Sequence, residues 1–271
     1  MMAYNTTWNM SGKRNVTNCS STSVVGPTFS AVGLALGIFG NVLALFVIVK
    51  TANLHKWKVF YKMITTLAVS DLTGILTTSP IVLSVYINKL QWVGGQPMCD
   101  FISFMLIFSG LTTCLIISVM AIDRYIAISH PFKYRILPKE KMVKFVIAGL
   151  LLFSAFVSFL PLFGLGHNVI HHPGTWCFPN FRDSSIGHAI FSCFYSCFIL
   201  FLVLMTAVLN IIAIVILEKG RKSEVRRDSN TSNSSTRRHV DIYIMVLLIA
   251  ICVVFAVCWS PFMVSFIFLI T

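Results

Sequence analysis

Six long runs of apolar residues, at about 24–49, 60–87, 100–128, 143–165, 186–217 and 242–270, decide most of what this chain can become. Each is long enough for the roughly 20 residues a helix needs to cross a hydrocarbon core of about 30 Å. None shows the apolar–polar alternation of a half-buried strand. A helix pairs every backbone N–H and C=O within itself, so a helix is the expected form of each run. The fold expected is an all-α membrane protein: a bundle over residues 24–271 behind a polar tail at 1–23. Gly37, Gly40, Gly149 and Pro80 fall within the runs, and the glycines are expected to serve close helix packing. Only 11% of the 271 residues are charged, against roughly 25% in a soluble domain, and mean hydropathy is +0.83. In a soluble protein a net charge of +12 would raise nucleic-acid binding. Here the basic residues sit in the gaps between apolar runs, where they set topology and build no phosphate-binding face, so no nucleic-acid partner is expected.

Seventeen of the twenty-one Lys and Arg residues flank or fill the gaps after the first, third and fifth runs; the other four are Lys13, Arg14, Lys89 and Arg182. The positive-inside rule then puts the amino terminus outside the cell. The tail agrees independently, because Asn5, Asn9, Asn15 and Asn18 each head an N-x-Ser/Thr glycosylation sequon. No apolar core precedes the sequons, so the first run is expected to act as an uncleaved anchor. Of eight cysteines, Cys114, Cys193, Cys197, Cys252 and Cys258 lie inside apolar runs and read as free thiols acting as small hydrophobes. Cys99 and Cys177 fall at outer ends of spans, where an oxidising compartment lets them pair; Cys19 is left over.

The stretch Cys99–Tyr134 is the axis of the chain. A cysteine opens it, nearly uncharged residues follow, and Asp123-Arg124-Tyr125 closes it, with Pro131 beyond. A helix from Cys99 to Asp123 would rise roughly 36 Å, enough to cross the hydrocarbon with a polar group at each face. This constellation resembles the third helix and second inner loop of a rhodopsin-like, class A G-protein-coupled receptor. The resemblance implies a plasma-membrane receptor with a rhodopsin-like helical bundle, six of whose seven helices are present. It implies no catalysis and no cofactor. Asp123, Arg124 and Tyr125 would form the G-protein switch: Arg124 is held by Asp123 at rest and released to receive the tail of a heterotrimeric G protein. Burying such a pair costs about what pairing returns, which leaves two arrangements close in energy. A basic residue snorkelling at the interface is the plainer reading.

Asp71, in L-A-V-S-D-L, is the only acid deep in a run, and a buried carboxylate marks a functional site by default. The alternative is a lone acid satisfied by neighbouring hydroxyls such as Ser118. By resemblance Asp71 is the family's second-helix aspartate, which implies a sodium ion or a water network coupled to activation. Asn41, in G-N-V-L-A, matches its first-helix asparagine, a polar packing link. Cys258-Trp259-Ser260-Pro261 resembles its sixth-helix Cys-Trp-x-Pro. There Pro261 would kink the helix so that its inner half can swing, and Trp259 would sense ligand.

Leu106 stands one to two turns below Cys99, where the amine receptors of this family place an aspartate. Without that anion a cationic ligand is disfavoured. Residues 91–99, Q-W-V-G-G-Q-P-M-C, and 174–178, G-T-W-C-F, are similar to the prostanoid receptors, most of all to a prostaglandin E receptor. That subfamily implies a prostanoid lipid as ligand, its carboxylate held by Tyr86, Thr175 and Trp176 over an apolar cavity; the plainer reading of Trp176 is that it packs under the disulfide. Its principal carboxylate partner is an arginine on the seventh helix, which lies outside this sequence. Six spans would leave Thr271 outside, and a fragment, a truncated gene model or a splice form is the expectation. A non-signalling six-helix form that pairs with or retains a full-length receptor is the alternative function. A chain that truly stopped there would bind ligand weakly. A six-span serine protease of the membrane is remote, since no Gly-x-Ser occurs within a span and the histidines cluster in loops. The third inner loop, 218–241, is basic and rich in Ser, Thr and Asn. It is expected to be disordered and to meet the G protein, with Ser229 a candidate phosphorylation site.

Overall fold

A computed structural model describes residues 25–51, 58–136, 139–180 and 186–225, with Val246, Ile249, Ala250 and Val253. Helices α1 (Val25–Thr51), α2 (Lys58–Ile87) and α3 (Gly95–Ser129) are followed by a short α4 (Pro131–Ile136) and by α5 (Lys139–Phe159). A 3₁₀ turn (Leu160–Phe163) leads to strands β1 (Asn168–His171) and β2 (Trp176–Pro179), and then to α6 (Ile186–Val225). Five of the helices, α1, α2, α3, α5 with its 3₁₀ extension, and α6, are long and apolar enough to cross a membrane. They coincide with the first five expected runs. The sixth run, with Trp259, Pro261, Cys252 and Cys258, lies outside the described residues apart from the four named above. So do the four sequons, Cys19 and Ser229.

α3 is the centre of the bundle and packs against α2, α5, α6 and both strands. Its buried side includes Ile102, Ile107, Leu111, Ile116 and Met120. α1, by contrast, turns Leu36, Phe39 and Val49 outward, as expected of a helix whose solvent is lipid. Polar side chains within the spans bond to their own helix: Thr65, Thr66, Thr73 and Thr78 each donate to the carbonyl four residues back, at 2.7–2.9 Å. That removes the cost of an unpaired hydroxyl in hydrocarbon.

Two ends of the bundle are distinguished by what α3 carries. At the disulfide end α3 begins one turn earlier than the apolar run, because Gly94 adopts φ 96°, a left-handed conformation that glycine takes without strain. A side chain there would put its Cβ 2.7 Å from Met98 Cβ. At the other end, the Arg124 end, α3 stops at Ser129. His130 precedes a proline and is held out of helical geometry at φ −133°, ψ 62°, and Pro131 opens α4, where its missing N–H costs nothing.

Three features differ from the expectations. The chain is not purely helical, because β1 and β2 form an antiparallel hairpin with Ile170 opposite Cys177. The expected loop beginning at Glu218 is still helix as far as Val225; Glu, Lys and Arg are good helix formers, and extending a helix is far easier than starting one. Among the glycines, a Cβ at Gly37 would meet Ile75 at 2.7 Å, which bears out close packing there. Gly40 and Gly149 have nothing within 4 Å among the described residues.

Candidate functional site

At the Arg124 end the guanidinium is 98% enclosed, with only 2% exposure. Its Nε and Nη2 both donate to Asp123 Oδ2, at 3.1 and 2.5 Å. Tyr134, on α4, donates its phenol to Asp123 Oδ1 at 2.9 Å and accepts from Arg124 Nη2 at 3.4 Å. The guanidinium carbon stands 5.6 Å from the centroid of the Phe60 ring on α2. A guanidinium taken from water without such partners would cost several kcal/mol. Asp123 and Arg124 therefore come together as the sequence predicts, and the plain snorkelling reading fails, since the arginine is buried. Tyr125, the third residue of the triplet, is half-buried beside them.

Midway along the bundle, Thr113 on α3 donates to Asp71 Oδ1 at 2.8 Å. The expected neighbour Ser118 is elsewhere: its hydroxyl donates to Cys114 O at 2.8 Å and stands 2.9 Å from Thr206 Oγ1 on α6. The correction follows from rotation about α3, since the face that meets α2 is not the face that meets α6. Asp71, Asn41, Gly74, Ile75, Thr78, Leu106 and Ser109 line a cavity of about 190 Å³ between α1, α2 and α3. Asn41 donates its amide to Gly37 O at 2.9 Å, so its nitrogen serves its own helix. The carboxylate, the hydroxyl oxygens and the Asn41 carbonyl form an oxygen donor set that fits a hard cation or ordered water. Among the described residues no group of three or more His, Cys, Asp or Glu could hold a transition metal.

At the disulfide end Cys99, inside α3, is bonded to Cys177 of β2 with the Cα atoms 5.2 Å apart. A second tie was not legible beforehand. Asn168 on β1, 3% exposed, donates to Asp100 Oδ1 at 2.8 Å and accepts from Ser103 at 2.7 Å. Gln96 donates to Asn168 O at 3.0 Å and to Asp100 Oδ1 at 3.1 Å. The hairpin is thus clamped to α3 by one covalent and several polar links. Thr175 is buried at its turn. Trp176 stacks on His171 at 4.7 Å and donates its indole N–H to His172 O at 3.1 Å. It packs beside Leu106 against a cluster formed by Ile107, Leu111, Phe178 and Tyr195. Tyr86 lies on α2, where its phenol accepts from Ser30 of α1 at 3.4 Å. Thr175, Trp176 and Leu106 therefore share the disulfide end with Tyr86, but no direct hydrogen bond joins Tyr86 to the hairpin among the described residues.

A local signal for the hairpin was present: Pro173-Gly174 between V-I-H and W-C-F is a turn dipeptide flanked by β-favouring residues. Gly174 has φ 106° and donates its N–H to His171 O at 2.7 Å. Thr113 and Phe60 carried no such signal.

The family described as 7 transmembrane receptor (rhodopsin family) matches residues 40–271. The prostaglandin E2 receptor EP4 subtype of Oryctolagus cuniculus is 38% identical over 207 residues, covering 74% of this chain and 41% of that protein. The same subtype from Bos taurus is 36% identical over 223 residues, 79% of this chain and 44% of that protein. The prostacyclin receptor of Mus musculus is 31% identical over 244 residues, 89% of this chain and 59% of that protein. The chain thus spans less than half the length of the EP4 relatives it matches. In fold it is similar to squid rhodopsin, with a TM-score of 0.78 over 90% of this chain and 71% of that one, at 18% identity. With its match running from the first helix to Thr271, this chain is a multi-pass membrane protein that belongs to the rhodopsin family of seven-transmembrane receptors.

Proposed function

We propose that the chain belongs to a plasma-membrane receptor for a prostanoid, with its amino terminus outside, that passes ligand binding to a heterotrimeric G protein. The observation that carries this reading is the arrangement along α3. One end is clamped to a hairpin bearing Thr175 and Trp176, and the other ends in the buried Asp123–Arg124 pair. The named prostanoid relatives supply the ligand class. Thr175 and Tyr86 would hold the ligand carboxylate through hydroxyl donors, which provide charge-assisted bonds, and Trp176, whose indole N–H is taken by His172 O, would pack beside it as part of the same ligand site. Leu106 would face its apolar chain. Arg124, released from Asp123, would receive the G protein, with Tyr125 beside it. Asp71 with its oxygen-lined cavity, and Trp259 and Pro261, would couple the two ends. The sequons at Asn5, Asn9, Asn15 and Asn18 would be glycosylated.

Photoaffinity labelling tests the ligand class and reads weak binding as well as strong. A photoreactive prostanoid, irradiated on membranes carrying the chain, is expected to label the peptide Thr175–Phe178, and unlabelled prostanoid should suppress the label. Labelling that excess prostanoid leaves unchanged would overturn the reading.

A further inference from the structure

We propose that Phe60 on α2 is a positioning residue for Arg124: its ring face holds the guanidinium at rest, so α2, as well as Asp123 and Tyr134, sets how readily the switch opens. The inference rests on the switch reading above and adds a third restraint to it. The guanidinium is planar and weakly hydrated, with donors around its edge and an uncapped face. Asp123 and Tyr134 take edge donors. The Phe60 ring lies 5.6 Å from the guanidinium carbon, within the reach of a cation–π contact, which strengthens when both partners are desolvated. Both are: Phe60 is 7% and Arg124 2% exposed.

The ring has little freedom to leave. Phe60 is embedded with Met63, Ile116, Ile117, Met120 and Val143, side chains of α2, α3 and α5. Burial alone does not require an aromatic there, because a leucine would fill much of the same space in that aliphatic cluster. What the ring adds is its negative face, turned to the one cation enclosed in the cluster's vicinity among the described residues. Arg124 can reach a new partner only by sliding off that face, so a rearrangement of α2 against α3 weakens the hold on the arginine without touching Asp123.

The experiment compares Phe60→Leu, which removes the ring quadrupole, with Phe60→Trp, which keeps it, in full-length chain carried in membranes. Hydrogen exchange of the amides in Pro131–Ile136 reports opening at the Arg124 end without any G protein. Phe60→Leu is expected to speed that exchange roughly tenfold to thirtyfold, the factor a desolvated cation–π contact supplies, and Phe60→Trp to restore it. In an Arg124→Gln background Phe60→Leu should have no further effect, which separates loss of the contact from general loosening of the core. Equal acceleration by Phe60→Leu with and without Arg124 would overturn the proposal, as would no acceleration in either background. Unliganded nucleotide exchange on an added G protein is read in parallel. Faster amide exchange with unchanged nucleotide exchange would uphold the restraint and contradict the coupling reading on which its signalling role rests.

Discussion

Asp123 makes three of the hydrogen bonds that close the Arg124 end, two to the guanidinium and one to Tyr134. Asp123→Asn keeps the shape but removes the charge, so unliganded nucleotide exchange on a G protein is expected to rise several-fold. Tyr134→Phe removes two bonds to charged groups, the donation to Asp123 at 2.9 Å and the long acceptance from Arg124 at 3.4 Å, of which the first is worth about 1.5–3 kcal/mol when fully formed. It should raise exchange less, because Asp123 still faces the arginine; a larger effect from Tyr134→Phe than from Asp123→Asn would mean the phenol is the principal restraint. At the other end Asn168→Ala strips Asp100 and Ser103 of a buried partner. A loss of about 1–3 kcal/mol, read as a lower melting temperature of the detergent-solubilised chain, is expected. Asp71 and Arg124 were legible in the sequence because a charge inside an apolar run has few reasons to be there. Thr113 and Phe60 were not: threonine and phenylalanine are ordinary in a span. Thr113 meets Asp71 across 42 positions of sequence, and no local pattern announces such a pairing.

Helix ends and loops are where the elements departed from expectation. The five described spans were readable because each must fill the bilayer's thickness, a constraint that acts on composition directly. The hairpin between α5 and α6 is shorter than any hydrophobic period can reveal, and its stability comes from α3. The disulfide joins residues 78 positions apart, and a cross-link of that length is worth about 4.5 kcal/mol in the chain-entropy account. Cys177→Ser is therefore expected to reduce surface expression and prostanoid labelling of the hairpin sharply, while leaving the helix content seen by circular dichroism unchanged. The contact between α3 and α6 through Ser118 and Thr206 should matter far less. Hydrogen bonds between helices in lipid average about 0.6 kcal/mol, so Thr206→Val is expected to lower the melting temperature only slightly. A loss comparable with that of Asn168→Ala would show that this pair organises the core.

Taken whole, the molecule is organised around one central rod, α3, tied to a cap at one end and closed over a cation at the other, with α2, α5 and α6 packed around it. The direction proposed for it in the membrane, amino terminus outside, is argued from the distribution of Lys and Arg and from the sequons. Endoglycosidase treatment is expected to lower the apparent mass of the chain. Changing Asn5, Asn9, Asn15 and Asn18 to Gln should abolish that shift. The central claim is that occupancy of the capped end is read out at Arg124. It is tested most directly by prostanoid-dependent nucleotide exchange on a G protein, comparing the chain with its Arg124→Ala and Cys177→Ser variants in membranes. The account predicts exchange that rises with prostanoid in the unaltered chain and is lost in both variants. Prostanoid-dependent exchange that survives Arg124→Ala would contradict it.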